Sequence, residues 1–282
     1  MRMLSCGTTT LLVVLGCTAS PPASKGNSQA AVTPTQPALV RVVARDFAFD
    51  SAHTAPAGLV AIRLVNTGGA IHMLGVGRLD SGKTVADLYR AMSGTQPIHW
   101  FSELGGPGAV SPGDSVTQYV VLQPGTYSMI CFWPDSTGKA HDLSGMFTTL
   151  TVTGQTAGAP VEPTPDIYLR ERDYNITATG AFTRGRHVFR VDNDGPQGHD
   201  VMLLRVLPGR SDAEVERWLE KPTMRDAPVE ALGGTVGLER WAHATFAADL
   251  KPGQYLILCM IPDATDHRPH FMHGMVTRVS VT

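Results

Sequence analysis

Residues 131–146, CFWPDSTGKAHDLSGM, bring together one thiol at Cys131, one imidazole at His141 and one thioether at Met146. A strand pattern ends at Cys131 (GTYSMIC) and another begins after Met146 (FTTLTV), so the three side chains fall at the end of a hairpin, within reach of one metal ion. The stretch recurs at residues 259–275, CMIPDATDHRPHFMHGM, with Cys259, His270 and Met275 between GQYLILC and VTRVSV. Both copies open Cys-x-x-Pro-Asp and close His-x-x-x-Gly-Met. Gly145 and Gly274, next to the methionines, carry no side chain to crowd the loop against a metal. A thiolate, an imidazole and a thioether are soft or borderline donors, and together they suit copper. A second imidazole is missing from each stretch and is expected upstream.

His72 and His199 supply it. Each stands six residues after an Asn that closes a strand pattern, in N-TGGAI-H and N-DGPQG-H. The order His, Cys, His, Met then occurs twice: His72, Cys131, His141 and Met146, and again His199, Cys259, His270 and Met275. Two imidazoles and a thiolate in a plane with a weak, long Met are the donors of a blue-copper electron-transfer site. Such a site needs its ligands on loops at one end of a sheet pair, which directs attention to the elements that carry them.

Those elements are duplicated. Arg45–Asp46–Phe47 matches Arg172–Asp173–Tyr174, and Asn66–Thr67–Gly68 matches Asn193–Asp194–Gly195, at an offset of 127. Leu122 to Tyr127 matches Leu250 to Tyr255 at 128, and His141 and Met146 match His270 and Met275 at 129. Each half reads mainly as short strands, such as LVRVVARDFAF, LVAIRLVN and SVTQYVVL in the first, with Gly and Pro between them. One helical pattern interrupts each half, over residues 83–92 and 211–219, with Ser211 as an N-cap. The expectation is an all-β chain of two tandem Greek-key β-sandwiches, each with a short helical insertion. The boundaries are 39–154 and 166–282, joined by a Pro/Gly/Thr linker over 155–165.

With these motifs in place, each half resembles the cupredoxin family. Asn-x5-His and His-x4-Met are similar to the plastocyanin segments, while the longer Cys-to-His loop is nearer that of the first domain of copper nitrite reductase. The resemblance implies up to two type 1 copper ions per chain, held by the eight residues above. It departs from the family's enzymes: no His adjoins Cys131 or Cys259, and the chain has no His-x-His pair. An electron carrier or two-copper relay is therefore favoured, with His141 and His270 as the exposed edges where electrons enter and leave. The alternative is a copper storage or delivery protein, and a two-domain copper reductase or oxidase is the weaker third reading. Of the other histidines, His267 and His273 flank His270 at intervals of three and read as solvated loop residues. Trp133 lies inside the ligand loop and is a candidate shield.

The N-terminus gives an address. Residues 1–17 read as a signal peptide whose apolar run ends in Val-Leu-Gly-Cys, which resembles a bacterial lipobox. That resemblance implies a diacylglycerol on Cys17, a mature protein tethered to a membrane of the bacterial cell envelope, and residues 18–38 as a flexible linker rich in Ser, Thr, Pro and Ala. Each half of the mature chain holds one Cys, which fits a metal thiolate better than a disulfide. A net charge of −2, with 17% charged residues, excludes the basic footprint of a nucleic-acid binder. The expected partners are a redox protein and, through the lipid, the membrane; the composition also leaves room for a homo-oligomer.

Overall fold

The computed structural model describes residues 35–94, 96–154, 160–220 and 227–282; Cys17 and most of the N-terminal segment lie outside these, as do residues 155–159 of the linker. The first half contributes β1 (Ala38–Arg45), β2 (Ala48–Ser51), β3 (Thr54–Pro56), β4 (Gly58–Asn66), β5 (Gly75–Leu79), β6 (Phe101–Glu103), β7 (Gly106–Pro107), β8 (Ser115–Leu122), β9 (Gly125–Ile130) and β10 (Phe147–Thr153). The second contributes β11 (Ile167–Arg172), β12 (Asn175–Gly180), β13 (Gly185–Asn193), β14 (His199–Val206), β15 (Val229–Leu238), β16 (His243–Leu250), β17 (Gly253–Leu258) and β18 (Val276–Val281). Helices α1 (Val85–Met92) and α2 (Asp212–Glu220) are the only α-helices among the described residues, and neither is long and apolar enough to cross a membrane.

The all-β expectation of two sandwiches, each with one helical insertion, holds, but the halves are more closely joined than beads on a linker. One eight-stranded sheet runs through both, in the order β12-β11-β13-β16-β8-β4-β1-β2. Its central seam pairs β8 with β16 antiparallel, Tyr119 opposite Thr245 and Val116 opposite Ala248. A five-stranded sheet, β3-β10-β9-β5-β6, closes the first half and another, β18-β17-β14-β15-β7, closes the second. The last of these borrows β7 from the first half, with Thr235 opposite Pro107 and Val236 opposite Gly106. A single apolar core extends through both sandwiches. In the second half Phe189 and Phe246, both fully buried, stack at 4.6 Å within it.

Local sequence explains most element limits. Strand β11 alternates buried and exposed residues strictly, as a half-buried strand must. Both helices begin at capping boxes: Thr84 and Asp87 exchange side-chain and backbone hydrogen bonds, as do Ser211 and Glu214. The run LVRVVARDFAF is not one strand. It turns at Asp46–Phe47, where Phe47 has φ 61°, and returns as β2. Strands β5 and β14, which follow the two upstream histidines, were not evident in the sequence. Gly75 and Gly77 dilute the strand signal in β5, yet a Cβ at Gly77 would meet the Phe101 ring at 2.1 Å, so the glycine is there to admit that ring.

Candidate metal centres

Three elements converge at one end of each sandwich. His72 sits in a short bridge with Val110, Cys131 follows β9, and His141 opens a 3₁₀ turn over His141–Ser144. In the second half His199 opens β14, Cys259 follows β17, and His270 opens the turn His270–His273. The backbone closes each loop on itself: His141 N–H donates to Trp133 O and Asp142 N–H to Cys131 O, at 2.9 and 3.0 Å. The second loop repeats both bonds, His270 N–H to Ile261 O and Phe271 N–H to Cys259 O, each at 2.9 Å.

The resulting donor sets are nearly congruent. In the first, Nδ1 of His72 and His141 lie 3.2 Å apart, and Cys131 Sγ lies 3.8 and 3.6 Å from them. In the second, the Nδ1 atoms of His199 and His270 are 3.1 Å apart, with Cys259 Sγ at 3.8 and 3.5 Å. The point equidistant from the three donors lies about 2.0 Å from each in both triangles, which is a metal–imidazole bond length. The donors therefore already surround a space of the size of one ion. Both cysteines are free thiols, as the metal reading requires.

Met146 and Met275 are fully buried and tied to these sets by backbone. Met146 N–H donates to His141 O and its carbonyl accepts from Cys131 N–H, both at 3.1 Å. Met275 makes the same two bonds at 3.1 and 3.2 Å. The adjoining glycines act otherwise than the sequence suggested. A Cβ at Gly145 would meet nothing within 4 Å, but Gly145 and Gly274 have φ 99° and 102° and end the 3₁₀ turns in the left-handed region.

The outward imidazole nitrogens meet carboxylates. His72 Nε2 hydrogen-bonds Asp46 Oδ1 at 3.2 Å, and His199 Nε2 lies 2.9 Å from Asp173 Oδ1, though without hydrogen-bond alignment. Gly68 and Gly195 make room for these contacts, since a Cβ at either would come within 2.8 Å of the imidazole Nε2. A carboxylate behind a metal-bound imidazole fixes its tautomer and its orientation. Asp46 and Asp173 were part of the recognised repeat, and their invariance between the halves was the available signal for this role.

Burial governs the electrostatics. Burial pushes His72 down to about 4, partly opposed by Asp46, and lowers His141, His199 and His270 likewise. It pushes the Cys131 thiol up to about 11, opposed by the N–H groups of Met73 and Trp133. Cys259 is raised well above the usual thiol value by burial and then by Asp200 and Glu171. Two neutral imidazoles and a thiol packed this tightly form a set that a cation would complete, by displacing the thiol proton.

His141 and His270 are not the exposed edges expected of them: they are 1% and 0% exposed. Phe47 covers the first with ring centroids 5.1 Å apart, and Tyr174 covers the second at 5.4 Å. Trp133 is buried, and its carbonyl accepts from His141 N–H. His273 does not stand alone as a solvated residue. It pairs with Asp266 at 3.1 Å and, with Asp263, forms a third group of donor atoms. Asp263 is an unsuitable ligand there, because Tyr174, Gln197, Thr265 and Asp266 already donate to its oxygens.

No family model matches the chain, and no curated protein matches it. Among solved structures it is similar to auracyanin from the photosynthetic bacterium Roseiflexus castenholzii, at 23% identity over 42% of this chain and 99% of that one, with TM-score 0.31. It is also similar to auracyanin A, a blue copper protein from Chloroflexus aurantiacus, at 19% identity over 42% and 99%, TM-score 0.31. A blue copper oxidase from Nitrosomonas europaea matches at 14% identity over 88% of this chain and 86% of that one, TM-score 0.26. Each half is a β-sandwich that carries one His–Cys–His donor set at one end.

Proposed function

We propose that the chain is an exported, membrane-tethered type 1 copper protein that transfers electrons through one or two mononuclear His2CysMet sites. The observation that carries this is the pair of buried His–Cys–His triangles, each with its centre about 2.0 Å from all three donors. The residues suit copper in kind as well as in spacing: a thiolate, two imidazoles and a backbone-anchored methionine beside them. Bound copper would supply one-electron chemistry, alternating between Cu(I) and Cu(II).

The chain's own residues would do the rest. The carboxylates of Asp46 and Asp173 face the outer nitrogens, by a hydrogen bond at His72 and a 2.9 Å charge contact at His199, and Nδ1 of each ring faces inward. The amides of Met73 and Trp133, and of Asp200 and Ile261, direct N–H groups at the sulfurs and stabilise the thiolates. Donors held this rigidly need little rearrangement when the charge at the centre changes. Their near-complete burial favours a carrier over a store, because a store must let its ion leave. Exposed Phe47, edge-on to His141, and exposed Leu143 in the turn that His141 opens offer apolar surface near the first centre, and exposed Met272 lies in the loop of the second, where a redox partner protein would dock. A lipid on Cys17 would keep the protein at a membrane of the bacterial cell envelope.

Visible and EPR spectra of the copper-loaded full chain, with copper counted per chain, test this reading. An intense thiolate-to-copper band with reversible voltammetry is expected. Copper uptake without that band, or without reversible redox cycling, would leave only the storage reading. An N-terminus other than a lipid-modified Cys17, found by mass spectrometry, would remove the tether.

A further inference from the structure

The two centres differ most in what lies behind their imidazoles. Gln197 occupies the turn before His199, and Ala70 holds the equivalent place before His72. The backbones match there: Asn193 Nδ2 donates to Gln197 O at 2.8 Å, and Asn66 Nδ2 donates to Ala70 O at 2.7 Å. Only the second half has a side chain at this point that can reach outward.

Gln197 Nε2 donates to Asp173 Oδ2 and to Asp263 Oδ2, each at 2.9 Å, while its Oε1 accepts from Ala264 N–H at 2.9 Å. The amide orientation is dictated by these partners, because two carboxylates can only accept and an N–H can only donate. Asp173 is the carboxylate behind His199, and Asp263 Oδ2 lies 3.7 Å from Nε2 of His270. Tyr174 adds its hydroxyl to Asp263 and sets its ring against His270. A hydrogen-bonded bridge, Asp173–Gln197–Asp263, thus spans the back of the centre, and its ends meet the imidazoles through charge contacts of 2.9 Å at His199 and 3.7 Å at His270.

The first half lacks it. Asp135, the counterpart of Asp263, accepts from Thr137 and Lys139 of its own loop. Asp46 accepts from Gly69 and Ala70 N–H groups and from His72. With Ala at position 70, no amide joins the two carboxylates.

We propose that Gln197 is a positioning residue that ties the two carboxylates behind the imidazoles of the second centre into one frame and so presets both rings for metal in the metal-free protein. This rests on reading the second triangle as a metal centre. Glutamine suits the task because its two amide hydrogens serve two carboxylates at once. Glutamate at this place would set a third carboxylate against the other two, and alanine would leave both unlinked. The second loop is thereby bound to the turn before β14 independently of metal, whereas Asp135 of the first loop bonds within its own loop.

The test uses the metal-free full chain, with Gln197→Ala, Gln197→Glu and the shape-conserving Gln197→Met. Imidazole nitrogen NMR reports the tautomers, and hydrogen exchange reports the Ala264 amide. In the wild type, His199 and His270 should each show a single tautomer with the proton on Nε2. In the Ala and Met variants His270 should become a mixture, the Ala264 amide should exchange at least about tenfold faster, and His72 and His141 should not change. Copper affinity of the second centre, measured in a Cys131→Ser background, should fall about 10–100-fold. Gln197→Glu should fare no better than Gln197→Ala. Unchanged tautomers and exchange in the Ala and Met variants, or wild-type behaviour in the Glu variant, would overturn the proposal. The thiolate-to-copper band separates this from the metal reading. A band with unresponsive tautomers leaves the centre and removes the frame, whereas responsive tautomers with no band leave the frame and remove the copper.

Discussion

The first and second centres share a triangle but not all of its surroundings. Their Nδ1 and Sγ separations agree within 0.1 Å, and Asp46, Asn66 and Met146 recur as Asp173, Asn193 and Met275, yet several side chains packed around the triangle differ. Met73 in the first half becomes Asp200 in the second, buried and pushed up to about 6 by burial. Phe47 becomes Tyr174, Ala70 becomes Gln197, and Ala44 becomes Glu171, whose buried carboxyl oxygens find no hydrogen-bond partner. Asp46 is half exposed, whereas Asp173 is 14% exposed. The comparison teaches that backbone sets the donors and side chains set their surroundings. Strand ends and 3₁₀ turns reproduce the triangle in both halves, while the polarity around it has been free to diverge.

The largest effect that could break the comparison is at sulfur. Cys131→Ser and Cys259→Ser should each abolish the charge-transfer band of their own centre and spare the other, and a band surviving in the double variant would disprove thiolate ligation. Next comes the shared sheet. Phe246→Ala removes a fully buried ring stacked on Phe189, a loss of about 3–5 kcal/mol, which should lower Tm by roughly 6–20 °C. Both halves should melt together in calorimetry; two separate transitions would show that the eight-stranded sheet does not couple them.

A third measurement sharpens the contrast in polarity. Asp46→Ala and Asp173→Ala should each weaken copper binding about 10–100-fold. The Asp173 variant should sit at the upper end, because its carboxylate is the more shielded from water. Equal losses would show that exposure of the carboxylate is immaterial. Methionine comes fourth. Met146→Leu and Met275→Leu should retain copper and shift the potential upward, since the Cu(II) state loses its weak fourth donor, and Gln should shift it downward. Each tenfold change in relative affinity for the two oxidation states is worth about 59 mV. Unmoved potentials in voltammetry would make both methionines packing residues. The smallest effect should be equal in the two halves. Tyr127 and Tyr255 each bond their hydroxyls to the backbone four residues earlier, at Gln123 and Lys251, and Phe at either should cost about 1 kcal/mol by urea unfolding.

The two His–Cys–His donor groups and their order were legible in the sequence because duplication printed them twice, and both helices were legible from their periodicity, the second also from its Ser211 cap. The shared sheet was not, since the pairing of β8 with β16 joins residues some 126 apart and leaves no local pattern. Burial of His141 and His270 was hidden for a related reason: Phe47 and Tyr174 lie far away in sequence and arrive only through the turn that separates β1 from β2 and β11 from β12. Gln197 was readable in principle. It is the long polar residue in NDGPQGH where the aligned NTGGAIH has Ala, but its meaning depended on knowing which carboxylates it would meet.

The borrowed strand sets an order of assembly. His72 exchanges backbone hydrogen bonds with Val110, and Val110 is bridged in turn to Leu232. Ser111 and Ala231 bond to each other across the same seam, a separation of 120 residues. The ladder behind the first centre is incomplete until residues 231–232 are in place, so the site nearer the N-terminus depends on strands of the second half. High contact order of this kind slows folding. It also makes the backbone under the first donor set a joint product of both halves, although each set draws its side chains from one half alone.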